Sequence, residues 1–196
     1  MNYLNTDKDS VMMGSGYLFA TEAATFDMSS IDTSEMTEIG YIKDSAKFTR
    51  SHDAKVITSA NYGDITTVNG KYESTFDTNV ISYKAENVAR FLTGDSVVAG
   101  TPTTANGVTT STKTTYFAES SQSPAIALVF VGMDENTGNE IMLVMPKCKW
   151  QGEYTLDFNN DNPIETNYNF KCFNVTLPNG KVGAAYLVET TKTAAT

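Results

Sequence analysis

The sequence predicts a mainly β fold, a single-domain β-sandwich or partly open barrel over residues 1–196, and three observations carry that expectation. Thr, Ser and Asn are abundant while only 14 of 196 residues are Lys or Arg, a composition that favours strands and turns over long helices. Three apolar-rich runs lie close together, PAIALVFVGM, NEIMLVMPKCKWQGEYTLDF and IETNYNFKCFNV, and read as adjoining strands of one sheet. Within the middle run, Ile141 to Met145 is apolar at every position, as in a strand covered on both faces, whereas Tyr154, Leu156 and Phe158 alternate with Glu153, Thr155 and Asp157, as in a strand with one solvated face. With 40% hydrophobic and 11% aromatic residues the chain can build a core.

The elements follow in order. Residues 1–13 are polar and read as an N-terminal arm, and GSGYLFATE from Gly14 is the first strand. Ala23 to Met36 is rich in Ser, Thr and Asp without a sustained period, and its role is open. TEIGYIKDSAKFTRSHDAKVITS reads as a meander of short strands broken at Lys43-Asp44-Ser45 and at His52-Asp53. Turn chemistry recurs at Asn61 to Asp64 and at Asn69-Gly70, the second predicting a hairpin between Ile65–Val68 and Tyr72. Residues 71–84, KYESTFDTNVISYK, form the longest strand candidate, with a shift of apolar phase that places a bulge or bend near Asn79.

One short packed helix is expected over about residues 85–93. Ala85, Val88, Phe91 and Leu92 share a face, Glu86 lies in the first turn and Gly94 stands where a C′ glycine ends a helix. Residues 95–115 are Thr-rich and almost without large apolar groups, and they read as a long loop or an extended hairpin with its tip at Asn106-Gly107. Asp134 to Gly138 turns the first of the three apolar strands into the second, Pro178-Asn179-Gly180 leads into a last strand, and residues 189–196 read as a C-terminal tail.

Composition and motifs narrow the function by exclusion. A formal charge of −9 argues against wrapping nucleic acid, which needs a clustered basic surface. Cys148 and Cys172 carry no CxxC and no nearby histidine, so they read as reduced core residues and not as a zinc or dithiol motif. The N-terminus lacks the basic start and apolar run of a signal peptide, and no run reaches membrane-spanning length, so folding in a cytoplasm without membrane insertion is expected. The single histidine, His52, lies beside Asp53 in a polar stretch with no nucleophile motif, and a solvated surface residue is its simpler reading. No phosphate-binding or hydrolytic motif occurs, so no catalytic residue, metal or cofactor is assigned and an enzyme is not expected.

Two clusters weigh toward structure in the same way. Asp157, Asn159 and Asp161 alternate as at the start of a calcium loop, but Asn162 stands where the glycine belongs and Tyr168 where the bidentate carboxylate belongs, leaving a polar strand-to-strand turn. Trp150, Tyr154, Phe158, Tyr168 and Phe170 would suit a stacking platform, yet on neighbouring strands they make a core more simply. Glu153, Asp157 and Glu165 share a polar strand face with Thr155, Asn167 and Asn169.

The order of features is more informative than any one motif. A strand with EIGYIKD, a longer strand running into AENVARFLTG, a low-complexity loop and then IMLVMPKCKWQGEYTLDFNNDNPIETNYNFKC resembles the major tail protein, or tail tube protein, of long-tailed bacteriophages, over roughly Thr37 to Phe173. That resemblance implies a mostly β domain with one packed helix, whose hexameric rings stack into the hollow virion tail through which DNA is ejected. It implies assembly in the host cytoplasm, self-association, contact with tape-measure and tail terminator or tip proteins, and passage of DNA without specific binding.

The subunit sheets of that family join into a barrel lining the lumen, so Glu153, Asp157, Glu165, Asn167 and Asn169 become lumen-facing candidates, where negative charge keeps a phosphate backbone from sticking. Inter-subunit or inter-ring candidates are Val97, Val98, Thr103, Asn106, Val108 and Thr112 in the low-complexity segment, with Ile141 and Leu143 in the apolar run. A β-sandwich virion decoration or receptor-binding module is the alternative, for which the aromatic residues would lie in an exposed groove.

Overall fold

The fold is mainly β, and its centre is a closed six-stranded antiparallel barrel. The computed structural model describes residues 16–59, 61, 63–81, 87, 97–116, 123–133, 139–151 and 166–190. In the first half these form β1 (Gly16–Glu22), β2 (Thr37–Ser59), β3 (Gly63–Val80), β4 (Val97–Ala99), β5 (Thr103–Ala105), β6 (Val108–Thr110) and β7 (Lys113–Thr115). In the second half they form β8 (Ile126–Met133), β9 (Glu140–Trp150), β10 (Thr166–Cys172), β11 (Val175–Thr176), β12 (Val182–Gly183) and β13 (Tyr186–Thr190).

Around the barrel the order is β10-β3-β2-β1-β8-β9, and a short ladder from β9 back to β10 closes it. The second edge of β9 is divided. β13 takes Glu140 to Val144, and β10 takes Cys148 to Trp150. Residues 189 and 190, expected in a tail, therefore belong to a strand, with Glu189 opposite Ile141 and Thr190 opposite Glu140.

Alternation fills the barrel. Leu18 and Ala20 from β1, Phe76 and Val80 from β3, Ile126, Leu128 and Phe130 from β8, Met145 and Cys148 from β9, and Tyr168, Phe170 and Cys172 from β10 make one buried cluster. The apolar runs are also buried on their other face. Ala127, Val129 and Val144 are fully buried outside that cluster, and the register sets Phe19, Val129, Val144 and Tyr186 in one row across β1, β8, β9 and β13. Two-sided burial is why these strands read as continuous apolar runs and not as alternating ones.

The Ser/Thr/Asp-rich stretch 23–36 borders this outer row. Asp27 and Asp32 each accept hydrogen bonds from the backbone and hydroxyl of the serine two residues on, Ser29 and Ser34, and a short 3₁₀ turn follows at Thr33–Glu35. Tyr186 Oη donates to Met28 O at 3.2 Å and ties the stretch to β13.

Three sequence expectations are corrected by the ladder of β2 and β3. Lys43–Ser45 and His52-Asp53 are not breaks between short strands but register shifts within a single 23-residue strand. Irregularity at the level of Asn79 is present, but the extra residues belong to β2: Ile42 pairs with Val80 and Ala46 with Thr78, so residues 43–45 oppose Asn79 alone. Asn69-Gly70 does not turn the chain. Asn69 pairs with Ala54 and Tyr72 with His52, so Gly70 and Lys71 together oppose Asp53 in a second bulge, this one within β3, and a Cβ on Gly70 would stand 3.0 Å from Asp53 O. The turn falls instead between Ser59 and Gly63. The helix expected over about 85–93 lies outside the described residues except for Asn87, which is helical, buried and donates from Nδ2 to Glu38 O at 2.8 Å.

Candidate functional surfaces: two arms and a polar barrel face

The paired length of β2 and β3 exceeds what the barrel uses. β1 covers β2 only over Thr37 to Tyr41, and β10 covers β3 only over Ser74 to Val80, yet the two strands stay paired out to Ser59 and Gly63. Beyond the bulge at Asp53 they form a two-stranded arm of about 20 Å, taking roughly 3.3 Å per residue. Among the described residues no third strand pairs with it.

The arm carries apolar side chains into solvent. Val56, Ile57 and Val68 are 47%, 43% and 49% exposed. Register puts Ile57, opposite Thr66, on the face of Val68, and Val56 on the other, so each face presents hydrocarbon. At the root of the arm, Arg50 Cζ lies 4.6 Å from the ring centroid of Tyr72, and the His52 ring lies 5.2 Å from the same ring. His52 is exposed there, stacked on an aromatic neighbour, as its surface reading requires.

A second projection comes from the low-complexity segment, which is an extended hairpin. Val97, Val98 and Ala99 pair with Thr115, Thr114 and Lys113, while Thr103, Thr104 and Ala105 pair with Thr110, Thr109 and Val108. Its tip is the Asn106-Gly107 pair, with φ of 53° and 77°, the left-handed pair of conformations that a two-residue hairpin turn with strand-compatible twist demands. Of the residues expected at an interface, Val98 and Val108 are 49% and 65% exposed, Thr103, Asn106 and Thr112 are exposed, and Thr112 O accepts from Gly100 N at 2.6 Å. Ile141 and Leu143 lie elsewhere, in β9 between β8 and β13. Both edges of β9 are occupied there, so these residues can meet a neighbour through side chains only.

The third surface is the outer face of β2, β3 and β10. Tyr168 and Phe170 point into the core, so Asn167 and Asn169 point out, and Asn169 donates to the Asp77 carboxylate. Across the ladders Asp77 faces Lys47, and Lys171 Nζ lies 3.6 Å from Glu73, which also meets Lys71 Nζ at 3.8 Å. This part of the polar face therefore mixes both signs. Glu153, Asp157 and Glu165, its acidic members by sequence, lie outside the described residues, as do the rest of the DFNNDN turn, Tyr154 and Phe158.

Compared with known proteins, the chain matches no family model and no curated protein. The remaining candidates for chemistry are structural in setting. Tyr168 and Phe170 are core residues 5.9 Å apart between ring centroids, and Trp150 packs against the same core. Among the described residues no group of three His, Cys, Asp or Glu side chains is arranged to hold a metal ion, and no helix is long and apolar enough to cross a membrane. The signal that sequence reading missed is the arm. Its sequence trace is the pair of β-branched runs on either side of Asn61 to Asp64, Val56-Ile57-Thr58 and Ile65-Thr66-Thr67-Val68.

Proposed function

We propose that this chain is a structural protein whose copies join into rings and stack into a hollow tube, the tail tube of a long-tailed bacteriophage assembled in the host cytoplasm. The observation that supports it best is the β2–β3 arm. Among the described residues no strand covers either outer edge of this two-stranded ribbon, and open strand edges are a liability in a monomer and an assembly device in a polymer. Half-exposed Val56, Ile57 and Val68 add apolar area to those edges. The Thr-rich hairpin at 97–115 supplies a second, separate contact, suited to the neighbouring ring.

In this reading the barrel is the rigid body of each subunit and the arms are the connectors. The polar face with Asn167, Asn169 and Asp77 turns toward the bore, joined there by Glu153, Asp157 and Glu165. In that bore Glu73 and Asp77 would offset Lys171 and Lys47, and the added carboxylates would keep a phosphate backbone sliding without binding. Tape-measure and terminal tail proteins are then the partners of the bore and of the tube's ends.

Electron microscopy and sedimentation velocity of the full chain over a wide concentration range test the proposal. Rings, hexameric by the family's habit, or open-ended tubes are the expected result. A strict monomer at the highest concentration would overturn it and favour a decoration or receptor-binding module.

A further inference from the structure

The two cysteines face each other at the seam that closes the barrel, where β10 meets β9. Their position in the ladder follows from flanking hydrogen bonds: Phe173 N donates to Lys147 O and Gln151 N to Asn169 O, both at 2.8 Å. Antiparallel ladders alternate bonded and non-bonded pairs. With Lys147/Phe173 and Gln151/Asn169 bonded, Lys149/Lys171 is bonded too, and Cys148/Cys172 is a non-hydrogen-bonded pair. Such pairs hold their Cα atoms about 4.5 Å apart, inside the roughly 4.4–6.8 Å range that a disulfide spans. The two sulfurs are already 3.3 Å apart, against the ~2.05 Å of a disulfide.

The seam itself is short and internally opposed. It consists of Trp150 with Phe170, Lys149 with Lys171 and Cys148 with Cys172, and its middle pair sets two ammonium-bearing side chains directly opposite one another. Glu73, beside Lys171, offsets part of that repulsion. A bond between the cysteines would therefore act where the barrel is held least.

We propose that Cys148 and Cys172 form a redox clasp, a dithiol in a reducing compartment and a cross-strand disulfide that staples β9 to β10 when the chain meets a low-molecular-weight disulfide. The chemistry is two exchanges. One cysteine thiolate attacks the small disulfide, forming a mixed disulfide and releasing one small thiol; the second cysteine thiolate then displaces the other. Two protons and two electrons pass from the protein to the small disulfide, which leaves as two thiols. Both cysteines are buried, and the hydrogen bond that Cys148 Sγ donates to Cys172 Sγ, with burial, pushes the Cys148 thiol well up. Attack thus follows opening of the seam, and the resting dithiol is slow to react until the seam breathes. This inference does not depend on the tube reading.

The test uses the full chain incubated with excess oxidised glutathione. Intact mass should fall by two hydrogens, with no glutathione retained and no intermolecular species. Melting temperature should rise by about 7 to 14 °C from closing a ring between positions 24 apart, and return on reduction. Low denaturant should speed the reaction by opening the seam. The Cys172→Ser variant, lacking the resolving thiol, should instead keep one glutathione on Cys148. Thiols that stay unreacted even in low denaturant, a stable glutathione adduct on the unsubstituted chain, or a disulfide that leaves the melting temperature unchanged would each overturn the clasp. The mass result on the unsubstituted chain decides the matter even if the serine variant does not fold.

Discussion

On the proposed ring-and-tube reading, replacing Val56 and Val68 together by lysine should weaken assembly and leave the barrel folded. Val56 and Val68 lie on opposite faces of the arm and are 47% and 49% exposed, so about half of each side chain remains to be buried by a neighbour. Full burial of a valine is worth roughly 1.5–3 kcal/mol, which leaves about 0.7–1.5 kcal/mol for each and about 1.5–3 kcal/mol for the pair. At about 1.4 kcal/mol per tenfold, the concentration for ring or tube formation should rise roughly ten- to hundredfold, before counting the cost of desolvating two ammonium groups. Sedimentation velocity across a concentration series reads this directly. Val182→Lys is the control, since Val182 is 69% exposed but lies on β12, which pairs with β11 and not with either strand of the arm. Because the arm is outside the core cluster, the melting temperature of the double variant should move by only a few degrees. Unchanged assembly of the double variant, or equal disruption by Val182→Lys, would refute the arm as the connector.

The remaining predictions concern the barrel and the stretch beside it. Phe76 is fully buried in the barrel part of β3, so Phe76→Ala should cost about 3–5 kcal/mol in denaturant unfolding. Gly16→Ala should cost about 1–3 kcal/mol, because the new Cβ would stand 2.3 Å from Val131 O and 2.7 Å from the Phe130 ring. Ser29 and Ser34 hydroxyls, followed by their backbone amides, hold the carboxyls of Asp27 and Asp32 below the ordinary value of 3.8. Lowered in the fold, these carboxylates favour the folded 23–36 stretch above pH 3.8, and that contribution is lost as pH falls through their folded values. NMR titration should find both midpoints below 3.8, and Ser29→Ala and Ser34→Ala should each return the neighbouring aspartate toward it.

Fold class was legible because local patterns and final environment agree in β8 to β10. Ile126, Leu128 and Phe130 alternate into the barrel, Ala127 and Val129 fill the opposite face, and the sequence shows the resulting unbroken apolar run. The Asn106-Gly107 tip was legible for the same reason, since the turn demands left-handed conformations that this pair supplies at little cost. Asn69-Gly70 misled because a glycine suits a bulge, here Gly70 with Lys71, as well as a turn, and only the partner strand decides between them. Lys43–Ser45 and His52-Asp53 misled in the opposite direction, since polar residues at a bulge look like a strand end. Closure of the barrel was not legible at all. It depends on Cys148 meeting Cys172 in register, a pairing that local periodicity does not encode.

The apolar run Ile141 to Met145 presented itself by sequence as either core or a surface held for a partner. In the fold Val144 and Met145 are fully buried and both edges of β9 are paired over this run, so most of its burial is completed within the subunit. Among the described residues the open strand edges are those of the two hairpins, which are rich in Thr and Val, and the outer edge of β13, where Leu187 is 61% exposed. That distribution suits a polymer built on demand. A subunit whose largest apolar run faced outward would aggregate without order, whereas ribbons that are mostly polar, with a few half-exposed valines, keep a monomer soluble and still offer backbone edges to a copy of themselves. Backbone hydrogen bonds carry no net charge, so association through the arms should weaken little when salt is raised, in contrast to association through the Lys and Asp of the barrel's polar face.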